Sequence, residues 1–481
     1  MFFGGISTST KVQNPQQSFL FAKNLDIYKE PTELTLNVRT VLDSEDVVEG
    51  LIKWIVAGDP YDDNIYFYSE DGSLYQRDSG GTYTDIRDVS GSHGQGLEIF
   101  NDYLYYIRDT DIGRYGPLSG VPSFDDTWLT VTLGKAPLND TSTKGFAPIK
   151  AFRAGFAVGN GNDLGWWDGS VWIADRIVLP PGFNINTLEI VDEYLVIAAW
   201  EGTSYEQFQS SMIFFWDGDS TTFNFFQKVE AGPIGSMISV GGKLFAVIGG
   251  KGIILNLYPT FQELHQIPKI ARNKFVETYP GAITSWHNII HFGVASSTDS
   301  DDIIQGVYQY GSMNSSYPDA LNFGYTASLG YDTGTGVRIG AVKVINDALY
   351  FSWVTGSYSG IDKVDQTGPA FAKGEIEFLI FDDGKPTDED MAIYLKALYS
   401  PLIAGEAVQI SYKTDRAISY TDGIPDTTVG SNIQKLSIDN SLARFQEFQW
   451  KITMTTSVAD SPTIFGVGFK YDTLTEETKV T

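Results

Sequence analysis

The sequence contains no cysteine and no apolar run long enough to cross a membrane. The missing thiols exclude disulfide bonds, thiolate zinc sites and a cysteine nucleophile. The longest apolar stretches, such as YLVIAAW at 194–200, fall far short of the roughly 20 residues that a membrane-spanning helix needs. The first residues, MFFGGISTSTKVQNPQQ, have no basic start, apolar centre and cleavage site of a secretory signal. We therefore expect a soluble protein that folds inside the cell.

Basic residues are scarce. Lys and Arg together number 33 against 60 Asp and Glu, which gives a formal net charge of -27. Such a surface repels a phosphate backbone, so direct nucleic-acid binding is not expected. We interpret the acidity as a means of keeping the protein soluble, with a specific cationic partner as the alternative.

Helical periodicity is also missing. Almost every periodic segment alternates at period two, is rich in Val, Ile, Tyr, Phe and Thr, and is bounded by Gly, Asn, Asp or Ser. The nearest approach to a helix is 388–399, which Thr387 could cap. Its alternating Ile393, Leu395 and Ala397 favour a strand instead. The predicted fold class is all-β.

One stretch recurs along the chain. IFNDYLYYI at 99–107 returns as VINDALYFS at 344–352, and five further copies align on the apolar residue that follows a short polar turn. The aligned positions lie 39 to 59 residues apart and are Ile65, Leu104, Phe156, Leu195, Leu244, Ile290 and Leu349. That spacing is typical of one four-stranded propeller blade per copy.

Each copy places a polar turn between two alternating strands, and two more strands follow downstream. A short turn rich in Asn, Asp and Gly predicts a hairpin corner, so we assign the Asn-Asp pair no chemistry. Seven such units predict a seven-bladed β-propeller with four-stranded blades.

The chain divides into an N-terminal arm at 1–32, the β-propeller at 33–367, a linker at 368–374, a small β-sandwich at 375–474 and a tail at 475–481. The last propeller unit lacks an obvious fourth strand. We expect ELTLNVRTV at 33–41 to supply it, so that an N-terminal strand closes the last blade and leaves no open edge. Six or more alternating strands after the linker favour the sandwich.

Two stretches outside the repeats resemble one group of proteins. SFLFAKNLDIYKEPTELTLNVRT at 18–40 is similar to the opening of a diverse set of tailed-bacteriophage virion proteins, in which a similar stretch precedes a propeller. SPLIAGEAVQISYKTD at 400–415 and SPTIFGVGFKYD at 461–472 resemble parts of sandwich domains appended to phage tail proteins. The part of the chain between these stretches resembles such proteins only in the general features of a propeller.

The resemblance implies a non-enzymatic structural component of a phage virion, in the nozzle, ring or fibre-attachment region of the tail. The partners it implies are other copies of the chain in a symmetric homo-oligomer and neighbouring virion proteins, assembled in the host cytoplasm. Contact with a membrane is not expected. Such proteins fold in the bacterial cytoplasm without signal peptide or disulfides, and the composition agrees with this.

Candidate histidine ligands are few. His287 and His291 flank the turn in WHNIIHFG, but their spacing lies across a hairpin and not along a helical face. His93 and His265 have no companions that suggest a base or a ligand set.

Three acidic clusters, at 109–113, 217–219 and 297–302, could offer oxygen atoms to calcium. None continues into a full calcium loop with its distal Glu, and Asp-Gly turns explain them equally well. The sequence therefore assigns no catalytic, cofactor-binding or metal-binding residue and predicts no cofactor.

Glycan recognition is the first alternative to a purely structural role. Exposed rings beside the Trp-Asp-Gly turns could stack on a host-surface glycan; they are Trp166, Trp167, Trp172 and Trp216. Because aromatic residues of outer strands usually pack between blades, burial of these rings would remove the reason for this hypothesis.

A propeller glycoside hydrolase is the second alternative. It would need two carboxylates in the central depression, about 5 to 10 Å apart. SEDGSLY at 69–75 resembles the Asp-box of sialidase propellers, but Gly72 directly follows Asp71 instead of coming two positions later. An ordinary Asp-Gly hairpin is the better interpretation.

Overall fold

The computed structural model describes residues 19–30, 32–44, 48–88, 94–108, 111–129, 146–202, 210–267, 276–296, 305–313, 319–328, 337–356, 358–365, 367–382, 389–438 and 444–473. Over these residues the regular structure is forty strands, which confirms the all-β prediction. None of this part of the chain forms a helix of the length and apolar character that a bilayer requires. The N-terminal segment contributes β1 (Phe19–Lys23), β2 (Leu25–Asp26), β3 (Thr35–Leu36) and β4 (Val41–Leu42).

Five consecutive antiparallel sheets follow, each built from four strands adjacent in sequence. Blade 1 contains β5 (Ile52–Ala57), β6 (Ile65–Ser69), β7 (Leu74–Arg77) and β8 (Tyr83–Arg87). Blade 2 contains β9 (Gly94–Phe100), β10 (Tyr103–Arg108), β11 (Asp111–Gly116) and β12 (Ser123–Leu129). Blade 3 contains β13 (Ile149–Phe152), β14 (Gly155–Asn160), β15 (Asp163–Trp167) and β16 (Trp172–Val178).

Blades 4 and 5 repeat the same order. Blade 4 contains β17 (Phe183–Val191), β18 (Tyr194–Glu201), β19 (Ser210–Trp216) and β20 (Phe225–Val229). Blade 5 contains β21 (Ile234–Val240), β22 (Lys243–Ile248), β23 (Ile253–Tyr258) and β24 (Gln262–Gln266).

Blades 6 and 7 complete the ring. Blade 6 contains β26 (Ile283–Trp286), β27 (Ile289–Ser296), β28 (Gly306–Gly311) and β29 (Ala320–Tyr325), and β25 (Val276–Glu277) also pairs with β27. Blade 7 contains β30 (Val337–Ile345), β31 (Ala348–Thr355) and β32 (Tyr358–Asp365), with β4 as its fourth strand. The first strands β5, β9, β13, β17, β21, β26 and β30 contact one another in that order, and β30 contacts β5. The described strands therefore form a closed ring of seven four-stranded blades.

The Asn-Asp pair of the repeat is a hairpin corner, as predicted. Asn101 and Asp102 have φ of 46° and 67°, and Asn346 and Asp347 have φ of 50° and 59°. Positive φ at both central residues is what a type I′ turn requires, and Asn and Asp tolerate it better than most residues. The following Leu104 is fully buried in the core between blades 1 and 2.

An N-terminal strand closes blade 7, as predicted, but it is shorter than expected. β4 pairs with β32 opposite Asp362 and Lys363. β3, which lies inside the predicted stretch 33–41, pairs with β2 instead. Because the chain is shared between these two pairings, 33–41 does not run as one outer strand.

The described part of the predicted arm at 1–32 is built into the fold. β1 pairs in parallel with β29, where Lys23 lies opposite Phe323. Its other edge pairs antiparallel with β33 (Lys373–Phe378) of the sandwich, where Lys23 lies opposite Glu375. One continuous sheet thus runs from blade 6 through β1 into the sandwich.

The sandwich consists of two facing sheets. The first continues from β33 to β39 (Phe448–Thr456), β35 (Glu406–Thr414) and β36 (Thr421–Asp422). In the second, β34 (Asp390–Tyr399) pairs with β37 (Ile433–Ser437), β38 (Arg444–Phe445) and β40 (Ile464–Thr473). Buried residues of both sheets, including Leu395, Ile410 and Ile452, share one core with β1 and blade 6.

Candidate functional site

One layer of side chains lies at the inner edge of the ring, near the hairpin corners. Each blade contributes one member, which lies on the first strand of that blade. It pairs across the hairpin with the residue of the second strand that directly follows the aligned repeat position. The members are Val56, Glu98, Lys150, Glu189, Ile238, Thr284 and Lys343. The shared hairpin register thus brings four charged residues to one level. We call Glu98, Lys150, Glu189 and Lys343 the axial charge cluster.

The charges of this cluster compensate one another. Lys150 Nζ lies 3.2 Å from Glu189 Oε2. Burial raises the pKa of Glu98, and the nearby Lys150 and Lys343 oppose that rise. The Lys343 side chain is exposed, but partial loss of hydration near the axis of the ring lowers its pKa, and Lys150 lowers it further. The charges of Glu98, Lys150 and Glu189 on blades 2, 3 and 4 all affect the pKa of Lys343 on blade 7. The four side chains therefore interact across the axis of the ring.

Two carboxylates therefore do reach the centre of the ring, as the hydrolase hypothesis requires. Lys150 stands between Glu98 and Glu189 in blade order and forms an ion pair with Glu189. A glycosidase needs two carboxyl groups facing each other across a bound sugar, one of them able to give up a proton to the leaving group. The observed arrangement is one ion pair, Lys150–Glu189, with Glu98 and Lys343 close enough to interact electrostatically with it.

A second buried cation lies further from the corners on the inner strand of blade 1. Lys53 is 4% exposed, and its Nζ lies 4.9 Å from the centre of the Phe146 ring and 5.1 Å from that of Tyr279. Glu70 Oε2 lies 3.8 Å from the same ammonium. The two rings and the carboxylate together hold a buried charge that would otherwise be strongly unfavourable. Sequence reasoning missed both clusters, because each combines residues of several blades.

His287 and His291 are not brought together as a ligand pair. His287 is exposed at the corner of blade 6, with Nε2 3.6 Å from Asp347 Oδ1. His291 is buried, with Nδ1 3.2 Å from the carbonyl oxygen of Ile289 and Nε2 3.1 Å from Gln309 Nε2. These contacts assign Nδ1–H as a donor and Nε2 as an acceptor. Burial lowers the pKa of His291 to about 4, and His287 adds a smaller lowering effect.

Of the other two histidines, only His265 lies within the described residues. His93 lies outside the described residues, and His265 packs beside the Tyr310 ring at 5.5 Å. Nowhere in the described ranges do three His, Asp or Glu side chains stand close enough together to hold a metal ion.

The acidic clusters have local partners where they are described. The cluster at 297–302 and the first two residues of 109–113 lie outside the described residues. Asp217 accepts hydrogen bonds from the backbone N–H groups of Ser220 and Asp219 and from the Asn224 side chain. The Ser220 N–H contributes most to lowering the pKa of Asp217. This is the geometry of an Asp-Gly turn, with the carboxylate occupied by the turn itself.

The stretch 69–75 is also a turn. Asp71 Oδ1 accepts a hydrogen bond from the Ser73 N–H at 2.9 Å, and Gly72 has φ of 89°. A positive φ at Gly is the usual feature of such a hairpin, so the Asp-Gly interpretation holds.

The tryptophan rings pack between blades. Trp216 is fully buried and Trp166 is 8% exposed, and their ring centres lie 5.4 Å apart in the core between blades 3 and 4. Trp167 and Trp172 are partly buried against the core between blades 2 and 3. These four side chains therefore form no exposed cluster on which a sugar could stack.

A pocket of about 260 Å³ lies where the N-terminal segment meets blades 6 and 7. Its aromatic walls are Tyr28, Trp286 and Tyr325, and its polar lining includes Asp26, Lys29 and His287. The Tyr28 hydroxyl lies 2.9 Å from the carbonyl oxygens of Gln309 and Ala320. The pocket combines apolar rings with a few charged groups, as small polar ligands require.

No known protein family and no curated protein matched the sequence. Among solved structures, the WD40 domain of Neurospora crassa Pan2 is similar over 70% of this chain and 97% of that chain, with 10% identity and a TM-score of 0.41. The β-propeller domain of Myceliophteria thermophila Cps50 (Swd1) is similar over 68% of this chain and 98% of that chain, with 10% identity and a TM-score of 0.44. The Dos1 propeller is similar over 77% and 96%, with 11% identity and a TM-score of 0.40. Likenesses this distant concern the fold and not the function.

Proposed function

We propose that the chain is a non-enzymatic structural subunit of a tailed-bacteriophage virion, present in the tail in several symmetric copies. Its place would be the nozzle, the ring or the fibre-attachment region. The sequence resemblance at 18–40 and after residue 375 is the reason for naming the virion. The structural support comes from what those two stretches do in the fold.

The joint between propeller and sandwich is made from both of these stretches. β1 pairs with β33 in register from Phe19 to Lys23, with one irregularity. The backbone N–H groups of Leu34 and Ile464 donate to each other's carbonyl oxygens at 3.0 and 2.9 Å. Phe21 and Phe323 stack with their ring centres 5.9 Å apart. This joint carries the proposal, because a ring subunit needs two contact surfaces held in a fixed relation.

Particle analysis tests the proposal. Density-gradient-purified particles of the phage that encodes the chain should contain it in several copies per particle by quantitative mass spectrometry. Gold-labelled antibodies raised against the sandwich should bind at the tail. A chain that is abundant in the infected lysate but absent from purified particles would overturn the proposal.

Glycan recognition is the second candidate, and the pocket between the N-terminal segment and blades 6 and 7 is the observation that favours it. A glycan array with the full chain would show selective binding, and Lys29→Ala with His287→Ala at the exposed pocket rim should abolish it. Lys228→Ala with Lys251→Ala, both exposed and neither lining the pocket, is the matched control. Binding that survives the rim variant would exclude the pocket as the site.

A further inference from the structure

The outer face of the second sandwich sheet carries three lysines. Lys396 on β34 lies directly opposite Lys435 on β37, and Lys470 on β40 lies opposite Tyr394, two residues before Lys396. The sheet register thus gathers three positive charges from three strands on the face that points away from the sandwich core. We call these three residues the lysine face.

No carboxylate of the described residues forms an ion pair with any of the three, in contrast to other lysines of the chain. Lys150 pairs with Glu189 at 3.2 Å, and Lys451 of the first sandwich sheet pairs with Glu375 at 3.7 Å. On the lysine face, Lys435 Nζ lies 4.3 Å above the centre of the Tyr394 ring. Like charges directly opposite each other destabilise a sheet. Asp472, two residues after Lys470 on the same face of β40, is one carboxylate against the three lysines and forms no ion pair with them. In a chain of net charge -27, this excess of positive charge points to an acidic partner.

The surface beside the lysines is open. A Cβ atom added to Gly466 or Gly468, both on the edge strand β40, would meet no atom within 4 Å. Beside the lysines, Leu398 and Ile433 lie directly opposite each other and are 43% and 41% exposed. An apolar pair bordered by charges has the composition of a protein contact: a desolvated centre with a charged rim.

An acidic surface of matching character lies on the chain itself. The inner hairpin corners share one end of the propeller, which we call the corner end. Its carboxylates include Asp59, Asp63, Asp102, Asp192, Glu193 and Asp347. Arg153, at the corner of blade 3, is neutralised by Asp219 at 2.7 Å. The exposed Lys243 follows the corner of blade 5, so carboxylates outnumber cations at the corner end and its net charge is negative.

We propose that the lysine face docks on the corner end of a second copy of the chain. The inference rests on the proposed function, because it needs several copies in one particle. Two different surfaces meet in this contact, so it is heterologous, and repetition around a rotation axis closes a ring. Complementary charges fix how the two surfaces align and increase the rate of association. The Leu398–Ile433 pair supplies apolar area that becomes buried in the contact.

Charge reversal tests the contact. Mass photometry and native mass spectrometry of the full chain would compare the wild type with Lys396→Glu/Lys435→Glu/Lys470→Glu. The control, Lys228→Glu/Lys251→Glu/Lys373→Glu, changes the net charge equally at exposed lysines elsewhere. We expect the wild type and the control to form the same oligomer, and the lysine-face variant to dissociate with a constant at least about tenfold higher. Equal assembly of all three would overturn the proposal.

A charge swap identifies the partner surface. The lysine-face variant is mixed with the variant Asp59→Lys/Asp63→Lys/Glu193→Lys. The two should form a mixed pair that neither variant forms alone. Failure of this rescue would exclude the corner end. A wild type that stays monomeric but binds duplex DNA through the three lysines at about 150 mM salt would replace the second copy with a nucleic acid. Neither result would decide whether the chain is in the virion, which the particle analysis measures separately.

Discussion

Blades 1 to 5 and the region around blade 6 are held together in different ways. In blades 1 to 5 every strand pairs with strands next to it in sequence. Blade 6 continues through β1 into the sandwich, and blade 7 takes its fourth strand from β4, about 320 residues earlier in the chain. The first region can be assembled by local hairpins, whereas the second needs the N-terminal segment in place.

This difference separates two kinds of information in the sequence. The repeat specifies local blades and leaves the relation between propeller and sandwich open. The non-repeating segment 19–42 fixes that relation, because it contacts blade 6, blade 7 and the sandwich. Substitutions of buried residues in the two regions should therefore lower the free energy of unfolding by similar amounts. Only those in the region around blade 6 should also disturb the contact between propeller and sandwich.

The largest expected effect distinguishes the joint from a blade. Phe21→Ala and Phe214→Ala each remove a buried ring, 3% and 1% exposed, and should each lower the free energy of unfolding by about 3–5 kcal/mol. Only Phe21→Ala should loosen the sandwich, because Phe21 lies in the sheet that joins it to blade 6. Limited proteolysis with mass spectrometry should show faster cleavage near 367–372 in that variant alone. Equal cleavage in both variants would contradict a special role of β1.

A pH effect follows from His291 in blade 6. Its pKa of about 4 in the fold lies below the ordinary value of 6.5, so the unfolded chain takes up the proton first. Its contribution is therefore complete above pH 6.5 and is lost as the pH falls towards 4, by up to about 3 kcal/mol.

His291→Gln keeps a donor and an acceptor but cannot titrate, so it isolates this effect. Thermal unfolding at pH 7 and pH 4.5 should show a larger acid-induced decrease for the wild type than for His291→Gln. Asp362 in blade 7 acts in the opposite direction, since burial raises its pKa to about 6 and its contribution falls as the pH rises from 4 to 6. The comparison with the variant cancels this second effect. An equal acid response of both proteins would contradict the buried neutral histidine.

Removal of the central lysine tests the axial charge cluster. Lys150→Met removes the ion-pair partner of Glu189 and one of the two cations near Glu98, and we expect a loss of about 1–3 kcal/mol in the free energy of unfolding. The double variant Lys150→Met/Glu189→Gln removes one carboxylate as well and should recover much of that loss. Chemical denaturation of the two variants measures the difference. No recovery would mean that Lys150 acts through packing alone.

The smallest effect concerns the repeat that defines the blades. Asn101 has φ of 46°, so Asn101→Ala should cost about 1 kcal/mol, while Asn101→Gly should be close to neutral. Urea midpoints of the two variants would measure this. If the Asn101→Ala variant were as stable as the Asn101→Gly variant, the left-handed conformation of this corner residue would be contradicted.

The sequence predicted most of the architecture for physical reasons that are visible at short range. Asn101 and Asp102 supply the residues that a type I′ turn needs, and alternating strands on both sides give the hairpin. Seven such corners at blade spacing lead to the ring and to the expectation of an N-terminal closing strand. The sandwich followed from alternation alone.

The rest depends on register between distant strands. The pairing of Lys23 with Glu375 joins residues 352 positions apart. Irregularities in pairing between Ala392 and Tyr394 help to decide that Lys470 and Lys396 share one face. No local pattern encodes these relations, and for the same reason the lysine face could not be predicted. The axial charge cluster was missed because it combines residues of several blades.

A disulfide cross-link measures the placement of β1 most directly, because the natural chain has no cysteine. Lys23→Cys with Glu375→Cys introduces one pair across β1 and β33, and Arg114→Cys with Asp125→Cys provides a matched pair inside blade 2. Under mild oxidation both pairs should form an intramolecular disulfide, seen by intact mass and by the peptide linking 23 to 375. A blade 2 disulfide without the 23–375 disulfide would contradict the joint between propeller and sandwich.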